Sequence, residues 1–234
     1  MNEQKIKKDI AAYGCSIIAI EGTDYLSAFA HTIGLWEQYQ HPEIILFGLT
    51  PGMMQNVLNE ATSIIQSGNT IKPEQTYSDF FENGHTACIE VAAENIRDYF
   101  GYAIDYYKDI AFPAVQLVWT DAAYHFPWYQ DFDASLQYKQ PLLDRNAAFK
   151  FSEVPNLSVY VSAAYQAGTN YINTVKHLSN GDWHFLSDQL LPEQSIPLET
   201  LVAQDPSINQ LFDLDYGQMA QRTLQQDTWK RSLL

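Results

Sequence analysis

The chain has 234 residues, a net charge of −15, and 46% hydrophobic and 14% aromatic content. So apolar and aromatic a chain is no disordered acidic tail, and its length suits one large domain or two small ones. The sign of the charge argues against nucleic acid as a partner and for cationic proteins.

In chain order, residues 3–13 suit a short helix with Ile6 and Ile10 on one face, closed by Gly14. Residues 15–20 and 26–33 are strand-like, and 43–49 form a nearly continuous apolar strand. Thr50 then caps a helix with Pro51 in its first turn. Met53, Met54, Val57, Leu58, Ala61, Ile64 and Ile65 recur at helical spacing, as core packing does, and Gly68 ends that helix. Residues 86–91 are another strand, 93–108 one helix burying Ile96, Phe100 and Ile104, and 114–119 a further strand.

Gln, Asp, Pro and Lys accumulate around 130–155, which reads as a linker over 135–153. Beyond it, 157–163, 171–177 and 183–186 are strand-like, with Asn180-Gly181 as a hairpin turn, and a short helix follows near 198–203. Strands and helices mix without regular alternation. The expected fold is α+β: a mainly antiparallel sheet with packed helices in an acidic domain over 1–134, then a smaller α+β domain over 154–234.

The charge is concentrated. Between Asp9 and Asp133 there are seventeen carboxylates against Lys72, Arg97 and Lys108, and no Lys or Arg separates Lys8 from Lys72. Such a field repels phosphate backbones and speeds encounter with cationic proteins. Cys15 and Cys88 are the only cysteines, too few for a disulfide framework, and fit free thiols in a reducing compartment. Lys5, Lys7 and Lys8 precede an apolar run, but Tyr13, Gly14 and Ser16 interrupt it. No stretch reaches the roughly 18 apolar residues of a membrane helix. A cytoplasmic protein without a membrane partner is expected.

Catalytic motifs are sparse. His41-Pro42-Glu43 has the H-x-E spacing of zinc deaminases, but no P-C-x-x-C supplies the remaining ligands. The six histidines show no paired helical spacing, so no metal is assigned, and a site assembled only in three dimensions is the alternative. Asp131-Phe132-Asp133 and Asp213-Leu214-Asp215 resemble D-x-D pairs that hold a divalent cation, but in a chain this acidic they read as solvated surface. Cys15 or Cys88 with His31 is a conceivable nucleophilic pair that sequence does not bring together. No G-x-S-x-G, phosphate-binding loop or G-x-G-x-x-G occurs, and no cofactor is assigned.

The stretch Phe29-Ala30-His31-Thr32-Ile33-Gly34-Leu35-Trp36, followed by His41-Pro42-Glu43-Ile44-Ile45-Leu46-Phe47-Gly48-Leu49, resembles the bacterial domain of unknown function 4262 family. Tyr99-Phe100-Gly101, Gln116-Leu117-Val118-Trp119 and Phe126-Pro127-Trp128 match its later motifs in order, so the resemblance covers about residues 5–130. It carries over no catalytic residue. Val175-Lys176-His177-Leu178 and Gly181-Asp182-Trp183-His184-Phe185-Leu186 are similar to the immunity-protein family once called domain of unknown function 2185. Asp205-Pro206-Ser207-Ile208 and Asp213-Leu214-Asp215-Tyr216-Gly217 resemble the tail attached to such domains, with Asp215 where relatives tend to have Pro. That second resemblance implies an intracellular antidote to a bacterial toxin.

Charge and resemblance converge on one expectation: a non-enzymatic immunity protein that neutralises a cognate protein toxin, with a cationic nuclease effector as the expected type. Acids flanking aromatics are the candidate contacts, namely Glu37, Glu43, Asp121, Asp131 and Asp133 beside Trp36, Tyr124 and Trp128. The alternative is a small-molecule or cofactor-binding enzyme with a pocket among Trp36, Tyr39, Trp119, Tyr124, Phe126 and Trp128. A scaffold module forming a stable homo-oligomer is the third reading.

Overall fold

A computed structural model describes residues 3–168, 170–187 and 193–234. The chain divides into two units, residues 1–22 with 27–147, and Thr23–Leu26 with Ala148–Leu234. Each holds a six-stranded sheet that is antiparallel except for one parallel pair. The α+β class is therefore as expected.

In the first unit the elements run α1 (Glu3–Tyr13), β1 (Ser16–Ile20), β2 (Phe29–Ile33), α2 (Leu35–Tyr39), β3 (Glu43–Phe47) and α3 (Pro51–Gln66). They continue with β4 (Thr76–Tyr77), β5 (Thr86–Glu90), α4 (Ala93–Tyr99), α5 (Gly101–Tyr107) and β6 (Ala114–Trp119), and a 3-10 helix at Ala134–Lys139 follows. The strand order is β1-β2-β3-β6-β5-β4, with β3 and β6 parallel. Both faces are covered, which explains why β3 and β6 are buried at every position. On one face Met54, Val57, Leu58, Ala61 and Ile65 of α3 pack with Ile44, Leu46, Val115 and Leu117. On the other, Ile6 and Ile10 of α1 and Ile96, Phe100 and Ala103 meet Ile18, Ile33, Ile45 and Phe47. Thr50 caps α3 as expected, its hydroxyl accepting from the Met53 N–H.

Two local expectations need correcting. The single helix over 93–108 is two, α4 and α5, broken at Phe100. Gly101, the weakest helix former in the run, follows the break, and Phe100 is fully buried there. The second correction concerns the linker. Residues 135–147 belong to the first unit, because two buried glutamines fasten them to β6. The Gln140 side chain pairs with both backbone groups of Trp119, accepting at 3.1 Å and donating at 2.8 Å. Gln116 in turn donates to the Pro141 carbonyl at 2.8 Å and accepts from the Leu143 N–H at 3.0 Å. Leu143 thereby enters the core. A composition typical of a linker here does the work of an extra strand.

The second unit runs β7 (Ser158–Ser162), α6 (Ala163–Gln166), β8 (Thr174–His177), β9 (Trp183–Leu186), β10 (Glu193–Pro197) and α7 (Leu198–Gln204). A 3-10 helix at Pro206–Leu211, β11 (Gln218–Gln221) and β12 (Lys230–Leu233) complete it. The strand order is β10-β7-β9-β8-β11-β12. Val159, Val161, Val175, Trp183 and Phe185 are buried, while Ser158, Tyr160, Lys176 and His184 alternate with them toward solvent.

The glutamine clamp sets the first prediction. Gln140→Ala should lower stability by about 2 kcal/mol or more, since it orphans a buried N–H and C=O of Trp119. Urea denaturation measures this, and a change under about 0.5 kcal/mol, as at a surface site, would return the segment to linker status.

Candidate functional site

Two carboxylates organise the first unit, and neither faces solvent. Glu43, the first residue of β3, is wholly buried and sits where β2, α2 and α5 converge. It accepts from the Thr32 hydroxyl at 2.6 Å, from the Gly34 and Trp36 N–H groups at 3.0 Å each, and from the Tyr107 hydroxyl at 2.5 Å. Gly34 and Trp36 flank the start of α2, so Glu43 caps that helix from another strand. Gly34 has φ 114°, in the left-handed region, and a Cβ there would meet Ile10 at 2.8 Å. The Thr32 hydroxyl also accepts from the Ile44 N–H, and Tyr107 accepts from Gly34. Burial raises the Glu43 pKa above the ordinary carboxylate value, against the pull of its four donors. Glu43 is thus removed from the candidate contact surface: its hydrogen-bonding capacity is spent inside the fold.

Asp121 does a similar job beyond β6. One oxygen accepts from the N–H groups of Ala123 and His125 at 2.9 and 2.8 Å, and the other from the Asp133 N–H at 3.0 Å. Burial opposes its charge, but these three donors and the His125 ring hold its pKa below the ordinary value. It too is a buried organiser and not an exposed contact. The two ends of loop 121–133 are drawn together at this carboxylate. The loop presents Tyr124, Tyr129 and Asp131 to solvent, and Phe126 and Trp128 stack at 4.8 Å against Ala87, Ile89 and Val118. Asp133 is exposed, yet its carboxylate caps the following 3-10 helix through the Ser135 N–H at 2.9 Å. Five of the eight candidate contacts, Asp121, Tyr124, Trp128, Asp131 and Asp133, therefore share one tied loop. Glu37 and Trp36 lie on α2, where Glu37 accepts from the Tyr106 hydroxyl at 2.8 Å and Trp36 is half-buried.

The remaining chemistry-bearing residues are dispersed. Cys15 and Cys88 lie in the α3-side cluster, where burial pushes their thiols up to about 11 and about 12. His31 packs on Phe100, which belongs to the opposite cluster, so the conceivable cysteine–histidine pair is not assembled. Burial holds His31 neutral, with its pKa at about 4. Its Nδ1 meets the Thr32 carbonyl at 3.1 Å, while Nε2 has no hydrogen-bond partner among the described residues. His41 accepts from the Ile71 N–H at Nε2 and meets the Pro42 carbonyl through Nδ1, bracing the chain after α3. The aromatics of the expected pocket are split as well. Trp119 packs on the α3 side, Trp36 on the α1 side, and Phe126 and Trp128 in the third cluster. A cleft of about 560 Å³ in this unit is lined instead by Asn69, Thr70, Lys72, Gln75, Tyr77 and Asp79. Among the described residues no three His, Cys, Asp or Glu side chains group to hold a metal ion, and no helix is long and apolar enough to cross a membrane.

Thr32, Tyr107, Gln116 and Gln140 were missed in the sequence. Thr32 and Gln116 stand inside the quoted family motifs and interrupt apolar runs, whereas Gln140 lies in a polar stretch that gives no sign of burial.

Removing the buried node is expected to be severe. Glu43→Ala should cost about 4 kcal/mol in urea denaturation by orphaning buried donors, and Tyr107→Phe about 1 kcal/mol. Equal small effects would show the node to be incidental. His31 generates a pH test. Its folded pKa lies below the ordinary value of 6.5, so the unfolded chain takes up the proton first and stability falls as pH drops from 6.5 toward 4. In His31→Leu that slope should be shallower by about 1.4 kcal/mol per pH unit within this window, and an unchanged slope would contradict it.

No curated protein and no solved structure matches the chain. Residues 9–133, just over half of its length and including both organising carboxylates, match the family described as Domain of unknown function (DUF4262), and the chain belongs to that family.

Proposed function

We propose that this chain is a non-enzymatic bacterial immunity protein that binds a cationic toxin, of nuclease type, and neutralises it. The observation that carries the reading is the unbalanced acidity of the first unit. Lys5–Asp9, Lys7–Glu3 and Arg145–Asp144 are its Lys and Arg ion pairs among the described residues. Exposed Glu21, Glu60, Glu74, Glu82, Asp105 and Asp131 belong to none of these pairs. Uncompensated charge of one sign destabilises a folded chain by self-repulsion, and a cationic partner relieves that while being steered toward it. A toxin acting on a polyanion is cationic around its active site, which makes it a suitable partner.

Loop 121–133 supplies the contact geometry. Aromatics anchor interfaces and charges set rate and specificity, and a preorganised loop loses little freedom on binding. Tyr124 and Tyr129 beside Asp131, on a loop closed by Asp121, meet these requirements. Trp128 is committed further inside, under the Arg145 guanidinium at 5.5 Å. The similarity of β8 and β9 to the immunity-protein family once called domain of unknown function 2185 belongs to the same proposal.

The first test is purification from the native host at low salt, with the cognate toxin identified by mass spectrometry. A near-stoichiometric cationic domain released by salt is the expected result, and a bound chromophore in its place would overturn the reading. With that toxin, Asp131→Lys combined with Asp133→Asn, which retains the helix cap, should slow association about 10-fold at low salt and flatten its salt dependence. Unchanged kinetics would place the interface away from this loop.

A further inference from the structure

The second unit is made from two pieces of chain of very unequal length, Thr23–Leu26 and Ala148–Leu234. The short piece is a built turn. The Thr23 N–H donates to the Leu26 carbonyl at 2.8 Å, and the Thr23 hydroxyl accepts from the N–H groups of Tyr25 and Leu26 at 3.2 and 3.0 Å. That turn projects one side chain, Tyr25, which is buried with 8% of its surface exposed.

Tyr25 occupies the middle of an aromatic cluster. Its ring lies edge-on to His177 at 4.6 Å, to Tyr216 at 5.3 Å and to Trp183 at 6.2 Å. His177 is stacked on Trp183 at 3.9 Å, and its Nδ1 meets the Leu214 carbonyl at 2.7 Å. The Tyr25 hydroxyl is 3.0 Å from one Glu153 oxygen and 3.1 Å from the Phe212 carbonyl, while the other Glu153 oxygen accepts from the Trp183 indole at 2.7 Å. Glu153 therefore holds β9 through Trp183 and the short piece through Tyr25. The geometry points to Thr23–Leu26 as a strap that completes the second unit: without Tyr25, residues 148–234 do not close their core. Removing the ring leaves a hole against three aromatic faces and strips one Glu153 oxygen of its donor, and these losses fall together at the join of β8, β9 and the chain after the second 3-10 helix. The 148–234 stretch is on this account not an independent module, although its own sheet is complete in strands.

Peptide-resolved hydrogen exchange on the full chain tests this. Tyr25→Ala should speed exchange across 174–186 by about 100-fold, the size expected for losing a buried aromatic, while 43–47 and 114–119 keep their protection. Tyr25→Phe keeps the ring, loses both hydroxyl contacts, and should give a smaller rise of about 5- to 10-fold confined to 150–234. Unchanged protection of 174–186 in Tyr25→Ala would overturn the strap. If Tyr25→Ala unfolds the whole chain, Tyr25→Phe decides: a rise confined to 150–234 supports the strap, and no rise or an equal rise everywhere overturns it.

Discussion

A carboxylate taken out of water is tolerated only where donors replace the water, and Glu43 finds four of them. They come from β2, the start of α2 and α5, so one carboxyl group joins at a single point elements that also share an apolar cluster. The motif that runs from Phe29 to Leu49 is intelligible from this node. Thr32 contributes its hydroxyl, Gly34 the left-handed turn that frees two N–H groups, and Pro42-Glu43 the strand start that delivers the carboxylate. His41, next in sequence, braces a different stretch through Ile71. One short run of sequence thus positions the surroundings of β3 on several sides.

The acidity of the first unit separates into two populations with different physics. Glu43 and Asp121 are internal, saturated with donors, and give the scaffold its shape. The others lie on the surface in water, where each contributes little alone and all contribute to a common field. The proposed binding role rests on the second population and needs the first to hold its loop in place. Asp133 bridges the two, exposed yet committed to a helix cap.

The second unit solves a related problem with a buried ion pair. The Arg222 guanidinium donates to Asp205 at 2.9 Å, to Ser207, and to the carbonyls of Ile172 and Gln225, and it lies over the Trp229 ring at 4.2 Å. Such a pair gives less net stability than apolar packing would, but removing either partner strands a charge. Together with Glu153 under Tyr25 and Trp183, it makes this unit a core pinned by polar contacts between residues far apart in the chain.

Periodicity and caps, read in the sequence, determined the elements whose signal is local. The α1 face at Ile6 and Ile10, the Thr50-Pro51 start of α3, the apolar runs of β3 and β6 and the Asn180-Gly181 turn between β8 and β9 all follow from neighbours a few residues apart. The tertiary structure decided whatever depends on a distant partner. Glu43 and Asp121 read as surface acids because their donors lie on other elements, and Gln140 read as linker because its partner, Trp119, is on β6. Strand β12 is exposed at every position and β11 has only Met219 and Ala220 as apolar residues, so both depend on pairing, β11 onto β8 and β12 onto β11. Tyr25 carries no local mark of burial at all. Whether a polar side chain ends in water or in the core is set by the donors and acceptors the fold brings to it, and spacing along the chain does not encode them.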